Sequence, residues 1–175
     1  MFSNPKSNLE QLGLSKGMRV ADLGVGSGFY ALEAAKIVGE EGRVFGVDVQ
    51  KELVETVKKL AEKNELSNVE VIWGDIEKDG GTKIKEGIID VVIASNILFQ
   101  VENKESFAKE IERILKSGGR VLVVDWLDSF AGLGPHKDEV VTEERAKSLF
   151  CGAGFSIEKS IDAGDHHYGF VALKA

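Results

Sequence analysis

Cysteine is almost absent from this sequence, because Cys151 is the one cysteine in 175 residues. An internal disulfide is therefore excluded, and the lack of disulfides favours a cytoplasmic protein. No apolar run approaches the roughly 20 residues that a membrane-spanning helix needs. The N-terminal sequence MFSNPKSNLEQLGL also lacks the apolar core of a secretory signal. We accordingly expect neither a membrane span nor a secretory signal.

Positive charge is also in short supply. The chain has 22 Lys and Arg against 29 Asp and Glu, which gives a formal net charge of −7. Nucleic-acid backbones are bound by clustered cations, so we expect no tight binding to DNA or RNA. Hydrophobic residues make up 43% of the chain, enough for one core, and we predict a single domain over 1–175. No metal site is predicted.

The stretch VADLGVGSGFYALEAAK, residues 20–36, reads as a strand, a glycine turn and a helix. Its alternating Gly24, Gly26 and Gly28 permit backbone angles and close approaches that a Cβ would forbid. The helix that follows presents free N–H groups to an anion. The spacing fits the dinucleotide motif G-x-G-x-x-G/A, and it also fits G-x-G-x-G behind the acidic Asp22. A tight turn without a ligand is the plain structural alternative.

Two further acidic residues follow predicted strands. Asp48 comes at the end of an apolar strand, 42–49, about twenty residues beyond the glycine turn, where an acid meets ribose hydroxyls in such folds. It can equally cap the next helix or lie in its first turn. Asp75 follows the strand 69–73, and its alternative is an ordinary turn aspartate.

Strands and helices alternate along the chain, which predicts an α/β fold with a doubly wound, mostly parallel seven-stranded sheet. The apolar run 88–94 is typical of a central strand covered on both faces. Strands at 155–161 and 168–173 predict a terminal hairpin that makes the last strand antiparallel. A helical segment is predicted within 1–17, from about Asn4 or Pro5 to Gln11, ending near Gly13.

Several local features of the second half are predicted from residue type. Asn103 and Thr142 are expected to cap helices. Ser117, Gly118 and Gly119 are expected to end a helix before a strand at 120–125. Cys151 is expected near the core at a helix end, rather than as a nucleophile. The predictions for the helix at 51–63 name Leu53, Val57, Leu60 and Ala61 as its buried face.

The longest irregular connection, 126–141, follows a strand end. Ligands in doubly wound sheets bind beyond the carboxyl ends of the parallel strands, so this loop is predicted to lie over the ligand face. Two interpretations of this loop stay open. Its residues Trp126, Phe130, Pro135 and His136 cover an apolar acceptor, or the loop forms a small apolar plug of its own.

Taken together, these features resemble a class I S-adenosylmethionine-dependent methyltransferase over roughly residues 17–175. The reversed last strand resembles the one that separates these enzymes from NAD-dependent dehydrogenases. The tail, from Gly134-Pro135 through His167-Tyr168-Gly169, is similar to ubiquinone/menaquinone methyltransferases and arsenite methyltransferases. The motifs that carry the resemblance are Asp22–Gly28, Asp48, Gly74–Ile76, Ser95–Leu98, Gly118–Arg120 and the terminal hairpin.

The resemblance implies S-adenosyl-L-methionine as the cofactor, with S-adenosyl-L-homocysteine as its product, and a role for each matched residue. The implied roles are the methionine ammonium for Asp22, the methionine moiety for the backbone of Gly24, Gly26 and Gly28, the ribose hydroxyls for Asp48, the adenine ring for Val49 and Ile76, the adenine amine for Asp75, and the meeting point of cofactor and acceptor for Asn96.

The sequence also departs from the family's patterns. Related small-molecule enzymes often carry histidine just after strand four, where this chain has Phe99 and Gln100. The arsenite enzymes use several cysteines, which argues against that reaction here. Asn96 is not followed by the Pro-Pro-Tyr of many amine-methylating nucleic-acid enzymes. The segment before the first strand is too short for a capping domain, so the acceptor pocket is expected to be small, open or completed by a partner chain. Whether the chain forms a homo-oligomer is a question that the sequence leaves open.

A general base, where the acceptor needs one, must therefore come from elsewhere. Topology offers His166 and His167 at the start of the last strand, and His136 in the long loop. Neighbouring strand residues face opposite ways, so at most one of His166 and His167 faces the pocket. Imidazole titrates near neutral pH and suits general-base work. Tyr168 is an alternative hydrogen-bonding group for the acceptor.

The sequence thus predicts a methyltransferase that moves a methyl group to a small-molecule acceptor by in-line displacement. A non-catalytic module of the same fold, binding cofactor or a protein partner, is the first alternative. An NAD-dependent oxidoreductase is the second.

Overall fold

The structure is a computed structural model that describes residues 3–129 and 132–175. Helices and strands alternate through these residues, and none of the helices they form has both the length and the apolar character that crossing a bilayer takes. The helices are α1 (Pro5–Leu12), α2 (Phe29–Val38), α3 (Lys51–Lys63), α4 (Lys104–Ile114) and α5 (Glu143–Gly152). The strands are β1 (Arg19–Leu23), β2 (Arg43–Asp48), β3 (Val69–Trp73), β4 (Ile89–Ser95), β5 (Leu115–Trp126), β6 (Phe155–Ile161) and β7 (His167–Lys174).

The strands form one sheet in the order β3-β2-β1-β4-β5-β7-β6. All neighbouring pairs are parallel except those of β7, which runs antiparallel to both β5 and β6. The predicted doubly wound sheet with a reversed last strand is therefore confirmed. The strand order changes direction between β1 and β4, and the carboxyl ends of these strands flank the crevice where such sheets bind ligands.

Helices cover both faces of the sheet. On one face α4 and α5 bury an aromatic cluster that contains Phe107, Phe150 and Phe170. On the other face α1, α2 and α3 pack over a core to which α1 contributes the fully buried Leu9 and Leu12. The middle of the central strand β4, from Val91 to Ala94, is apolar and buried because these residues alternate between the two cores, as the apolar run predicted.

The predicted helix caps at Asn103 and Thr142 are confirmed, since each side chain accepts a backbone N–H of the first turn. The predicted start of the fifth strand was wrong. Helix α4 ends at Ile114 and β5 begins at once, pairing Leu115 with Ile89, before its register shifts around Gly118. The two glycines form an irregularity within the strand, at which Gly118 has a φ of 74°, and they do not end the helix.

Two predictions of burial were also wrong. Cys151 is exposed, because it lies on the outer face of α5, opposite the buried Ala146 and Phe150. The buried face of α3 includes Val54, which the prediction left out, together with Val57 and Ala61. Leu53 and Leu60 are only partly buried, since they flank this stripe on the helix surface.

Glu110 on α4 is a buried carboxylate that the sequence did not single out. Its two oxygens accept hydrogen bonds from the backbone N–H groups of Gly80 and Thr82, at 2.9 and 3.2 Å, and from the Thr82 hydroxyl at 2.6 Å. Arg113 donates to both oxygens, at 2.7 and 2.8 Å. Burial by itself raises the pKa of Glu110, but the hydrogen bonds from Arg113, Thr82 and Gly80 outweigh it and hold the pKa below its ordinary value.

We expect Glu110→Ala to lower the free energy of unfolding by about 3 kcal/mol at neutral pH, because it leaves several buried donors without an acceptor. The pKa of Glu110 is lower in the folded protein, so this contribution is present at neutral pH. It is lost as the pH falls through the folded-state pKa. Urea unfolding at a series of pH values measures both effects.

The exposed Glu105 on the same helix provides the matched control, and Glu105→Ala should change stability by less than about 1 kcal/mol. Equal losses from the two substitutions would contradict a special role for the buried carboxylate.

Candidate functional site

Three glycines make the turn from β1 into α2, and each adopts a left-handed φ: 79° at Gly24, 51° at Gly26 and 83° at Gly28. A Cβ at Gly24 would lie 2.6 Å from the side chain of Ile97. At Gly28 it would lie 3.1 Å from both methyl groups of Val57. At Gly26 it would meet nothing closer than a carbonyl oxygen 3.8 Å away. Gly28 therefore serves helix packing, whereas Gly26 borders open space.

That open space is a cleft of about 1160 Å³ at the carboxyl ends of β1 to β4. It lies at the switch point of the sheet, as expected for a ligand site in this fold. Gly28 is the one predicted cofactor residue that does not line it. The predicted cofactor residues that do line it are Asp22, Gly24, Gly26, Asp48, Val49, Asp75, Ile76 and Asn96.

Asp22 brings a buried carboxyl group to the floor of the cleft, and only 3% of the residue is exposed. It accepts a hydrogen bond from the backbone N–H of Ala31 in the first turn of α2, whose N-cap residue has no side chain. Burial raises the pKa of Asp22 to about 7, the Ala31 hydrogen bond opposes this rise, and the charge of Asp48 adds to it. A cation bound in the cleft would favour ionised Asp22.

Asp48 joins the glycine turn to the start of α3. One carboxylate oxygen accepts from the backbone N–H of Gly26 at 3.1 Å, and the other accepts from that of Gln50 at 2.9 Å. Each oxygen keeps further lone-pair capacity for a ligand hydroxyl. The neighbouring Val49 is 63% exposed and lines the cleft, so it offers an apolar surface beside this carboxylate.

Asp75 makes the contacts of an ordinary turn aspartate, and it also lines the cleft. It accepts from the backbone N–H of Glu77 at 3.0 Å and forms an ion pair with Lys78 at 2.9 Å. These contacts, with that of Lys78 the largest, hold the pKa of Asp75 below its ordinary value. The carboxylate is thus ionised at the rim of the cleft, next to Ile76.

The turn after β4 carries polar atoms without partners. Asn96 has a left-handed φ of 54°, which is uncommon for a residue other than glycine. Within the described ranges, the buried Ser95 Oγ and Asn96 Oδ1 have no hydrogen-bond partner. Buried polar atoms are normally paired, so two orphaned atoms beside a cleft mark a place for a ligand.

Helix α1 supplies a wall of the cleft that the sequence did not reveal. Ser3, Asn4, Pro5 and Lys6 line it. The Tyr30 hydroxyl holds this end of the chain through Asn8 Nδ2, at 2.6 Å, and through Ser3 Oγ, at 3.3 Å. The one available signal was the short amphipathic pattern with Asn4 as its cap, which predicts a helix but not its location.

The three candidate histidines do not line this cleft. His136 is exposed in the loop after β5. His166 Nδ1 lies 3.3 Å from the Asp128 carboxylate. His167 is 5% exposed, and its ring stacks against that of Trp126 with centroids 4.3 Å apart. The assignment of a histidine base therefore stays a prediction that rests on topology.

His167 and Tyr168 are buried polar residues on opposite faces of β7. In the part of the chain described, both ring nitrogens of His167 and the hydroxyl oxygen of Tyr168 lack a hydrogen-bond partner. Burial lowers the pKa of His167, with a further effect from His166, so the ring is neutral at pH 7. Burial likewise raises the pKa of Tyr168 above its ordinary value.

The described residues of the loop 126–141 pack on one another. Pro135 is buried, and a Cβ at Gly134 would lie 2.7 Å from the Trp126 ring. None of the described loop residues lines the cleft. Phe130, for which the sequence left both the wall and the plug open, lies outside the described residues. This arrangement favours the interpretation that the loop forms its own apolar plug.

Residues 3–129 and 132–175 contain no group of three or more His, Cys, Asp or Glu side chains placed to hold a metal ion.

A doubly wound sheet with a reversed last strand, and a glycine turn flanked by Asp22 and Asp48 at its switch point, define the class I fold of S-adenosylmethionine-dependent methyltransferases. Comparison with known proteins agrees with this class. The chain belongs to the family described as "Methyltransferase domain", whose sequence profile matches residues 14–153.

The proteins to which this chain is similar are named for different substrates. The arsenite methyltransferase of Halobacterium salinarum is 30% identical over 161 residues, 92% of this chain and 39% of that protein. The ubiquinone/menaquinone biosynthesis C-methyltransferase of Azotobacter vinelandii is 29% identical over 67% of this chain and 46% of its own length. The chain thus spans less than half the length of these two curated relatives.

Among solved structures, that of a SAM-dependent methyltransferase from Aquifex aeolicus has a TM-score of 0.91 and 28% identity. The match covers 99% of this chain and 91% of that one. The likeness therefore extends over nearly all of both chains.

Proposed function

We propose that this chain is an S-adenosylmethionine-dependent methyltransferase that acts on a small-molecule acceptor. The observation that carries the proposal is the cleft at the switch point, where buried Asp22 and Asp48 flank the open face of Gly26. Family membership and the match to the Aquifex aeolicus structure support the same activity.

The residues present suit this cofactor. Asp22 would ionise against the methionine ammonium, and Gly26 leaves room for the ligand where a Cβ would stand. Asp48 has acceptor capacity left for the ribose hydroxyls, with Val49 beside it for the adenine ring. Asp75 is ionised and able to accept from the adenine amine, with Ile76 against the ring.

When bound, the cofactor supplies a methyl group that its sulfonium charge already activates. The task of the protein is to hold the nucleophile about 3 Å from that methyl group, in line and away from water. The N-terminal end of α1 and the turn after β4 form walls of the cleft in which this would occur. A histidine base is needed only for an acceptor that must lose a proton, and His136, His166 and His167 stay the candidates.

For the methyl acceptor, we propose only a chemical class. Relatives are named for arsenite and for ubiquinone/menaquinone biosynthesis. With Cys151 as the single cysteine, and exposed on α5, arsenite chemistry through several protein thiols has no counterpart here. We therefore favour a small organic acceptor.

A cofactor-binding module without chemistry is the second candidate. The absence of a histidine at Phe99 and Gln100, and of any candidate histidine from the described lining of the cleft, favours it.

Two measurements test these proposals. Calorimetry should give micromolar affinity for S-adenosylhomocysteine, about −8 kcal/mol, and no appreciable binding of NAD. Incubation with methyl-labelled cofactor and a small-molecule cell extract should then label an acceptor. Binding without any label transfer would support the non-catalytic module, and binding of NAD alone would overturn the cofactor proposal.

Asp48→Ala is expected to weaken S-adenosylhomocysteine binding by about 1–3 kcal/mol, because it removes a buried acceptor for the ribose hydroxyls. Calorimetry at neutral pH measures the change. Asp138→Ala, at an exposed aspartate of the loop after β5, should leave affinity unchanged. Unchanged affinity in both variants would remove Asp48 from the site.

A further inference from the structure

Asp125, the penultimate residue of β5, is a buried carboxylate that the cleft itself does not account for. Only 1% of the residue is exposed. One oxygen accepts the backbone N–H groups of Ile97, at 3.2 Å, and of Leu98, at 2.8 Å. The other oxygen accepts the N–H of Trp126 at 2.8 Å. The carboxylate thus reaches from β5 across to the segment that follows β4.

That segment, residues 95–101, is here called the β4 turn. It is not a regular helix, although Gln100 and Val101 both donate backbone N–H groups to the carbonyl of Ile97, at 3.0 and 3.1 Å. The N–H groups of Ile97 and Leu98 open this tight turn, and such leading N–H groups need an external acceptor. Asp125 provides it, as a capping side chain would in a helix.

The β4 turn forms one side of the cleft. Its lining residues include Asn96, Ile97 and Gln100. Ile97 also fills the space over Gly24, where even a Cβ would come within 2.6 Å of its side chain. The position of Ile97 therefore governs how closely the β4 turn approaches the glycine turn.

We infer that Asp125 is a positioning residue for methyl transfer. Its carboxylate holds the β4 turn at the distance from the glycine turn that brings an acceptor against the methyl group. This inference rests on the proposed function, because it concerns the acceptor side of the same cleft. Asp125 does not line the cleft, so it acts through Ile97 and the backbone of the β4 turn.

The charges around Asp125 make its role sensitive to pH. Burial raises the pKa of Asp125 to about 6, while the three N–H donors and the charge of Lys104 on α4 oppose the rise. Tyr168 on β7 faces the carboxylate, and Glu143 on α5 acts on Tyr168 in turn. The folded-state pKa lies above the ordinary value, so protonation of Asp125 begins as the pH falls towards 6. Protonation then weakens the hydrogen bonds that Asp125 accepts from the Ile97 and Leu98 N–H groups.

The substitution Asp125→Asn tests the inference, because an amide has one acceptor oxygen where the carboxylate has two. In the parent protein, the backbone amide resonances of Ile97 and Leu98 should shift together with an apparent pKa of about 6 in a pH titration by NMR. In Asp125→Asn these shifts should be absent. Affinity for S-adenosylhomocysteine should stay within about threefold of the parent value.

With an acceptor identified and the cofactor saturating, Asp125→Asn should lower kcat at least tenfold at pH 7.5. The acid limb of the kcat profile near pH 6 should also disappear. Glu110→Gln is the matched control, since Glu110 is an equally buried carboxylate that holds the 79–84 segment, away from the cleft. It should lose stability but keep the parent kcat and its pH profile.

Parent-like turnover in Asp125→Asn would overturn the inference, as would amide shifts of Ile97 and Leu98 that do not titrate in the parent. Loss of turnover to the same extent in Glu110→Gln would also overturn it, because it would reduce the effect to general destabilisation. If the parent transfers no methyl group, the proposed activity fails. The NMR titration and the binding measurement still decide whether Asp125 holds the β4 turn.

Discussion

Asp22→Asn is expected to make the ligand-free protein more stable at pH 8 while it weakens cofactor binding. Burial raises the pKa of Asp22 to about 7, so the folded protein resists an ionisation that the unfolded chain undergoes near the ordinary value of 3.8. An asparagine carries no charge in either state, and its amide oxygen can still accept the N–H of Ala31 at the start of α2.

The sign of this effect depends on pH. A pKa that is higher in the folded state contributes stability below the unfolded-state pKa, and this contribution is lost as the pH rises through the folded-state pKa. Asp22→Asn should therefore match the parent protein below about pH 4. Its relative stability should grow between pH 4 and pH 7 and reach a plateau of a few kcal/mol near pH 8.

Cofactor binding should move in the opposite direction. The substitution removes the charge that would face the methionine ammonium, and a hydrogen bond to a charged group contributes about 1.5–3 kcal/mol, so affinity should fall about 10- to 100-fold. Thermal or urea unfolding and calorimetry, both at pH 8, measure the two effects on the same samples.

Asp48→Asn is the comparison variant, because the Asp48 carboxylate already accepts from Gly26 and Gln50. It should weaken binding without any gain in stability. A loss of stability in Asp22→Asn at pH 8 would mean that Asp22 is ionised and paired in the ligand-free protein, and would contradict the prediction.

The second large expected effect concerns the glycine turn. Alanine substitution should mainly lower stability at one of its glycines and mainly lower affinity at another. Gly28→Ala should lower stability by about 2–4 kcal/mol, since a left-handed φ penalises the Cβ and the branched side chain of Val57 stands 3.1 Å from it. Gly26→Ala carries only the backbone penalty of about 1–2 kcal/mol. Its methyl group would occupy the cleft, and we expect at least a tenfold loss of affinity for S-adenosylhomocysteine.

Gly17→Ala is the control for the backbone penalty alone. Gly17 has a φ of 80°, a Cβ there would meet nothing within 4 Å, and the residue does not line the cleft. It should lose stability much as Gly26→Ala does and keep full affinity. Parent-like affinity in Gly26→Ala would show that no ligand approaches this glycine. Equal stability losses at Gly26 and Gly28 would show that Val57 yields without cost.

The sequence by itself determined the layers of this protein and the edge of the sheet that carries its cleft. Apolar periodicity is a local property, so the bounds of α3, β3 and β6 could be predicted to the residue. Glycine spacing and the acids near the carboxyl ends of β1, β2 and β3 then identified the edge that carries the cleft, because parallel strands end at the same side of a sheet. The start of β5 was predicted wrongly, because a pair of glycines occurs both at helix ends and at irregularities within strands.

Only the tertiary structure decided which polar side chains work together. Glu110 meets Gly80 and Thr82, and Asp125 meets Ile97 and Leu98, across gaps of 27 to 30 residues. Side-chain direction beyond a strand end is set by the packing of the loop. Topology could therefore predict at which edge of the sheet the histidines lie, but not whether they line the cleft. The same holds for α1, whose amphipathic pattern predicts a helix, while its position over the cleft follows from Leu9 and Leu12 packing against the core shared by α1, α2 and α3.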